Sequence, residues 1–469
     1  MVLTDAKWYE EIADAIRTVN SSDEQYSPSQ MADAILEFPN KGGNVADYIA
    51  TYLSPSYAIG VSAEFVASGA FMSRQNLLAA RYPNASYVGG NAFYGCSNLS
   101  EAIFPRCTTL HYGAFRYCKN LHKLSLPLCY QIGSYAFAEC KSLEGIDISS
   151  CTIIQRSAFT GAGISYASFA GCSFVSGYAF YHCDNLADVH LPTCIGIDSY
   201  AFANCIAMSS IDLPMCKTIG IGAFATCTSL QHISLPLCTS IPSSAFGLCS
   251  QLVEITLPEC LSVGSSAFLE CKNLMSFTAS KCKIVASDAF SGCTSLVDID
   301  MPDCLNVGYH AFAGTNIKSI YLPKCTTVDT YAFLSCENLT NVNLPECTLL
   351  NRDAFRQCYK LSSVYIPKCN TINTYVFWHC SSLTSLELPV CTRIGSYAFA
   401  DCDRLISLYL TSVSTVPVLS NSNAFQSSPI GGYSNVAGRF GSVYVPASLY
   451  SAFMVDSIWS FFSSRIVSV

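Results

Sequence analysis

The sequence predicts a β-rich solenoid, one short unit wound about sixteen times, and three observations predict it. A phenylalanine recurs from Phe71 to Phe399 at spacings of 22 residues, interrupted by two of 21, and self-similarity of that length marks stacked repeats. The 27 cysteines form two series on the same period, one three residues after the phenylalanine (Cys96, Cys118, Cys140) and one eight before it (Cys107, Cys129, Cys151). The composition is 51% hydrophobic and only 12% charged, about half the usual charged share, which demands either a membrane or very efficient burial.

Residues 355–376, FRQCYKLSSVYIPKCNTINTYV, show how one unit works. Leu361, Val364, Ile366 and Cys369 fall in the pattern L-x-x-L-x-L-x-x-C, the strand-and-turn pattern of a leucine-rich repeat. Val364 and Ile366 point inward and Tyr365 outward, at the period of two expected of a strand. Pro367 ends the strand because it has no N–H for a ladder. Ile372, Val376 and Phe377 face inward from the return half, which is too short for more than a turn or two of helix and is expected to be extended or 3₁₀ backbone. Two units, at residues 159–164 (FTGAGI) and 312–317 (FAGTNI), lose one residue and one cysteine together. That covariation favours a space-filling role for the cysteine.

Other chemistries fit the cysteines poorly. Equivalent positions in neighbouring coils lie about 4.8 Å apart with parallel Cβ vectors, a poor disulfide geometry. Zinc needs four converging ligands, which an eleven-residue rhythm does not bring together. The reading is buried free thiols acting as small hydrophobes. His182 and His379 each precede an inward cysteine and are expected at the surface. No G-x-S-x-G, P-loop, H-E-x-x-H or dinucleotide fingerprint appears, so no enzyme, cofactor or metal is expected. A net charge of −8 without a basic stripe argues against nucleic acid. No apolar run reaches the roughly 20 residues of a membrane span, and the start shows no secretory leader. Taken alone, the sequence reads as cytoplasmic.

The flanks differ from the repeat. Residues 1–40 read as a small helical module, with Trp8, Ile12, Ile16 and Val19 in one stripe and a second start at Ser27-Pro28-Ser29-Gln30. A linker with a hinge at residues 39–44 and an N-terminal cap follow over 41–70, then the solenoid over 71–430 and a C-terminal cap over 431–469. That cap is read as a strand, SVYVP, and an amphipathic helix bearing Leu449, Phe453, Ile458, Trp459, Phe462 and Ile466. An open solenoid end is a bare sheet edge, so a cap is physically expected.

The unit L-x-x-I-x-L-P-x-C-x-x-I-x-x-x-A-F-x-x-C resembles the BspA-like (Treponema pallidum type) leucine-rich repeat over about residues 61–430. The tail is similar to C-terminal caps of such proteins from gut Firmicutes and their phages. The head is similar to a short helical module of tail-associated phage proteins. The resemblance implies binding or adhesion by a curved surface, at the cell surface or on a virion. A phage tail-associated structural or receptor-binding protein is the alternative, with the N-terminal module as its docking piece.

The outward strand positions form two columns along the expected concave face. Asp188, His190, Asp212, His232, Glu254, Asp298 and Asp300 make its middle acidic, and Tyr321, Tyr365 and Tyr409 follow. The expectation is a strip that binds a protein or glycan, the tyrosines serving as amphipathic anchors.

Overall fold

The computed structural model describes residues 57–60, 62–432 and 440–469. The expected helical module over 1–40 and the hinge at 39–44 lie outside these residues. The chain divides into two compact units, Met1–Leu191 and Pro192–Val469.

Each coil holds a three-residue strand with its middle side chain inward, as Ile211 lies between Ser210 and Asp212. A two-residue strand follows on the return, with only its second residue buried, as in Thr218–Ile219. Among the described residues the first unit carries seven long strands, from Tyr57–Ile59 to Asp188–His190, and the second eleven, from Ser210–Asp212 to Ser442–Val445. Long strands pair in parallel one repeat apart. Tyr166 faces Asp188 and Ser168 faces His190 in the first unit; Ser210 faces His232 and Asp212 faces Ser234 in the second. Eighteen turns therefore replace the expected sixteen. Tyr57–Ile59 already pairs with Ala79–Arg81, inside the stretch assigned from sequence to linker and cap. At the other end Ser442–Val445 pairs with Ser407–Tyr409 as a further rung. The period conceals it because Phe425 comes 26 residues after Phe399.

The Ala-Phe turn binds coils together without a strand. In the first unit the amides of Asn91, Phe93 and Gly95 donate to the carbonyls of Tyr112, Ala114 and Arg116 in the next coil, each at 2.8 Å. In the second unit Tyr331, Phe333 and Ser335 donate to Arg352, Ala354 and Arg356 at 3.1, 2.9 and 2.9 Å. The amides between them bond back within the turn, Ala92 to Gly89 and Tyr94 to Asn91. Sending alternate amides forward requires left-handed backbone two residues either side of the phenylalanine: φ is +55° at Asn91, +71° at Gly95, +59° at Tyr331 and +56° at Ser335. In the shortened first-unit turn, Gly163 has no substitute, since a Cβ there would lie 1.9 Å from the Lys141 carbonyl oxygen.

The phenylalanines stack as these bonds dictate. Phe71 and Phe93 have ring centroids 5.1 Å apart and nearly parallel planes, and the second-unit rings continue the pattern to Phe399–Phe425 at 5.6 Å. The cysteines do more than fill space. All 27 are free and buried, and both series donate. Cys249 gives its thiol hydrogen to the Phe224 carbonyl in the preceding coil at 3.1 Å, and Cys238 to the Ser240 carbonyl at 3.2 Å. In one shortened turn Thr315 stands at the cysteine position, its hydroxyl 2.8 Å from the Phe312 carbonyl.

The expected single C-terminal helix is broken in two. A short α-helix, Tyr450–Val455, stops at Asp456, whose carboxylate accepts the amides of Ile458 and Trp459 and restarts the chain as 3₁₀ backbone over Trp459–Arg465. Ile466–Ser468 then pairs with Ser442–Val445. The break turns Trp459 and Phe462 onto Phe425, the last ring of the second unit's stack. The Trp459 indole donates to the Pro417 carbonyl at 2.8 Å.

Trp459 is fully buried, so Trp459→Ala should cost about 3–5 kcal/mol in urea unfolding of the full chain. Burial pushes the Cys107 and Cys249 thiols up to about 12. Such thiols stay protonated when folded, whereas unfolded ones ionise near about 8.5. Each therefore contributes its full stability below that pH and loses about 1.4 kcal/mol per pH unit as pH rises towards the folded value. The melting temperature, measured under reductant, should fall steeply above about pH 9. Native protein should resist alkylation at about pH 8, and all 27 cysteines should react in denaturant without reductant.

Candidate functional site

The long strands expose their first and third residues, and every residue expected from sequence to bind a partner stands at one of these positions. In the first unit Asp188 and His190 are exposed either side of buried Val189. The same face begins with a charge network. The Glu101 carboxylate meets Arg81 at 2.7 Å and Lys123 at 2.9 Å. Burial pulls this carboxyl up, but the bonds from Lys123 and Arg81 outweigh it and hold the group below the usual carboxylate range.

In the second unit register brings Asp212, His232 and Glu254 together. His232 faces Glu254 and Ser234 faces Thr256 across adjacent strands. With Ser210, they line an open recess of about 280 Å³ over Ile211 and Ile233. Its hydroxyls, imidazole and two carboxylates offer both donors and acceptors. Asp298 and Asp300 are exposed on one strand, paired in register with Ser276 and Thr278, and do not line the recess. Tyr321 is 61% exposed, Tyr365 55% and Tyr409 36%. They occupy the third position of their strands, two coils apart in each case. Asp188 and His190 belong to the first unit and the other eight residues to the second.

His182 is exposed and lies 3.4 Å from Asp184; His379 is half-buried, 3.7 Å from Asp401. Among the described residues no cluster of three or more His, Cys, Asp or Glu side chains is placed to hold a metal ion.

Sequence reasoning missed an arginine–aromatic edge beside the Ala-Phe turns. In the first unit the Arg116 guanidinium lies 4.9 Å from the Tyr117 ring and 4.7 Å from the Tyr135 ring. In the second, Arg356 lies 4.2 Å over Trp378, whose indole donates to Asp401 at 2.5 Å. Fully buried Asp353 accepts from Arg352 at 2.9 Å and Arg356 at 3.4 Å. The signal was present two residues before and one after each phenylalanine, where Tyr, Arg and Trp recur, but only coil stacking makes those positions neighbours.

None of the described helices is long and apolar enough to cross a membrane. Among solved structures, a leucine-rich repeat protein from Bacteroides ovatus is 19% identical over 84% of this chain and 92% of its own, with a TM-score of 0.49. A leucine-rich cell surface protein from Faecalibacterium prausnitzii is 20% identical over 66% and 87%, with a TM-score of 0.36. The leucine-rich repeat protein of Treponema pallidum is 21% identical over 48% and 80%, with a TM-score of 0.19. No curated protein matches the chain. The family model for the BspA-type leucine-rich repeat region, six copies long, matches residues 64–187, 173–297, 261–384 and 305–430. These matches overlap without a gap across most of the 469 residues, and the chain belongs to the BspA-type leucine-rich repeat family.

Proposed function

We propose that this chain is a non-enzymatic recognition scaffold that binds a protein or glycan partner through the face of its long strands. Leucine-rich repeat folds typically mediate protein binding or adhesion, and repeat solenoids offer continuous surfaces for it. The observation that carries the reading is the recess over Ile211 and Ile233, where Asp212, His232 and Glu254 converge from three successive coils. Their exposed side chains vary from coil to coil, while the residue behind them stays isoleucine. The backbone is rigidly set, so little ordering entropy opposes binding there. Placement at a cell surface, in an adhesive role, follows from the family resemblance and belongs to the same proposal.

Protein and glycan arrays probed with the full chain test this reading. A hit should weaken about tenfold or more with Asp212→Asn and Glu254→Gln combined. It should keep its affinity with Thr218→Ala and Ser240→Ala, which alter the exposed positions of the short strands. Equal loss from both pairs, or from neither, overturns it.

A further inference from the structure

Three successive long strands end in Tyr365, Glu387 and Tyr409, each exposed at the third position. The two tyrosines are two coil steps apart, about 10 Å at roughly 4.8 Å per strand. Tyr409 stacks on Tyr444 of the following rung, with centroids 4.7 Å apart and planes within 13°. Its plane therefore lies across the run of coils, and its free face looks back over Glu387 towards Tyr365. This part of the face therefore carries a phenol at either end of a two-coil step and one carboxylate between them, an open bay. The first positions of these strands are Ser363, Ser385 and Ser407, so the bay has no cation of its own on these strands, and no ion pair engages Glu387 among the described residues.

A flat group at the centre of this bay lies about 5 Å from each ring, inside the roughly 6 Å at which a cation is held over an aromatic face. Elsewhere the molecule holds each half of this arrangement with its guanidinium in place. Arg116 fits between Tyr117 and Tyr135 at 4.9 and 4.7 Å. Arg356 combines a ring, Trp378 at 4.2 Å, with a carboxylate, Asp353 at 3.4 Å. The Tyr365–Glu387–Tyr409 bay has both kinds of wall and lacks only the guanidinium. We propose that it receives an arginine side chain presented by a partner protein. This rests on the reading of the long-strand face as the recognition surface, and it selects protein over glycan for this part of it. Arginine suits the bay better than lysine: its planar fork stacks between rings while donating to a carboxylate, whereas an ammonium is a compact, strongly hydrated charge. The net charge of −8 favours the approach of a basic segment.

The test titrates a glycine-serine peptide carrying one arginine, and its lysine and citrulline counterparts, into the full chain labelled with fluorotyrosine and followed by fluorine NMR. Tyr365→Phe and Tyr409→Phe assign the two resonances. Both should shift saturably with the arginine peptide, about fivefold more weakly with lysine, and not with citrulline. Glu387→Gln should weaken the arginine peptide about tenfold. Glu346→Gln removes an equal charge from an exposed pair with Lys368 and should change nothing. Equal response to arginine and lysine, or indifference to Glu387→Gln, overturns the bay. If a partner found on the arrays loses affinity when the recess is altered while the arginine peptide is ignored, the bay fails and the face reading stands. If that partner is indifferent to the whole face, the broader reading falls as well.

Discussion

The structure depends on a backbone constraint, the pair of left-handed residues that brackets each phenylalanine. Among the described residues, twenty-six that are not glycine take positive φ, each at roughly 1–2 kcal/mol relative to ordinary helical or extended backbone. The return is collective. Reversing the backbone two residues before and two after the phenylalanine releases three amides of the turn to the next coil and leaves those between them bonded inside the turn. The same bonds set the coil step at which phenyl rings meet face to face. They also place most of the Phe carbonyls where each accepts both its own turn's amide and a thiol from the following coil, as Phe224 accepts from the amide of Cys227 and the thiol of Cys249. The two shortened repeats keep the forward amides, as Phe159 and Phe312 donate to Ala179 and Ala332, but send no thiol to the preceding Phe carbonyl. Ala162 stands at one cysteine position, and at the other the Thr315 hydroxyl donates to its own Phe312 carbonyl.

What the sequence made legible follows from periodicity. The strand positions, the inward leucines and isoleucines, both cysteine ladders and all ten outward candidates fall where a period of 22 with internal alternation puts them. The left-handed positions were not legible because Tyr, Ser, Asp, His and Glu together occupy them more often than Gly does, so no residue type marks them. The last rung escaped because an insertion delays Phe425 and hides Ser442–Val445 behind a break in rhythm. The C-terminal helix was misread because its apolar spacing is genuinely helical, while the Asp456 side chain captures two amides and stops it. The site was readable as a list and not as a place. Outward direction is a local property, but the grouping of Asp212, His232 and Glu254 depends on register.

Stability and the proposed recognition surface occupy separate positions in the coil. The phenylalanine stack and the thiols lie inside, whereas Asp212, Glu254 and Tyr365 are exposed. A change at an outward position leaves the inter-coil bonds intact, because in each strand the neighbouring middle residue supplies the packing. Such a scaffold tolerates a new surface without a new core, and one backbone can carry an acidic recess in one stretch and tyrosines in another.

The thiol ladders make unfolding a one-way event in air. While the coils are closed, the thiols are buried, nearly all of them donate to a carbonyl, as Cys238 and Cys249 do, and burial keeps groups such as Cys107 protonated. A coil that opens exposes thiols beside those of its neighbours, now free to ionise and move, and exchange or oxidation among 27 of them has a very large number of wrong pairings. None of those pairings exists in the native state, so any one of them must be reduced before the coil can close again. The reversibility of this fold is therefore a property of its redox surroundings, although the fold itself contains no redox bond.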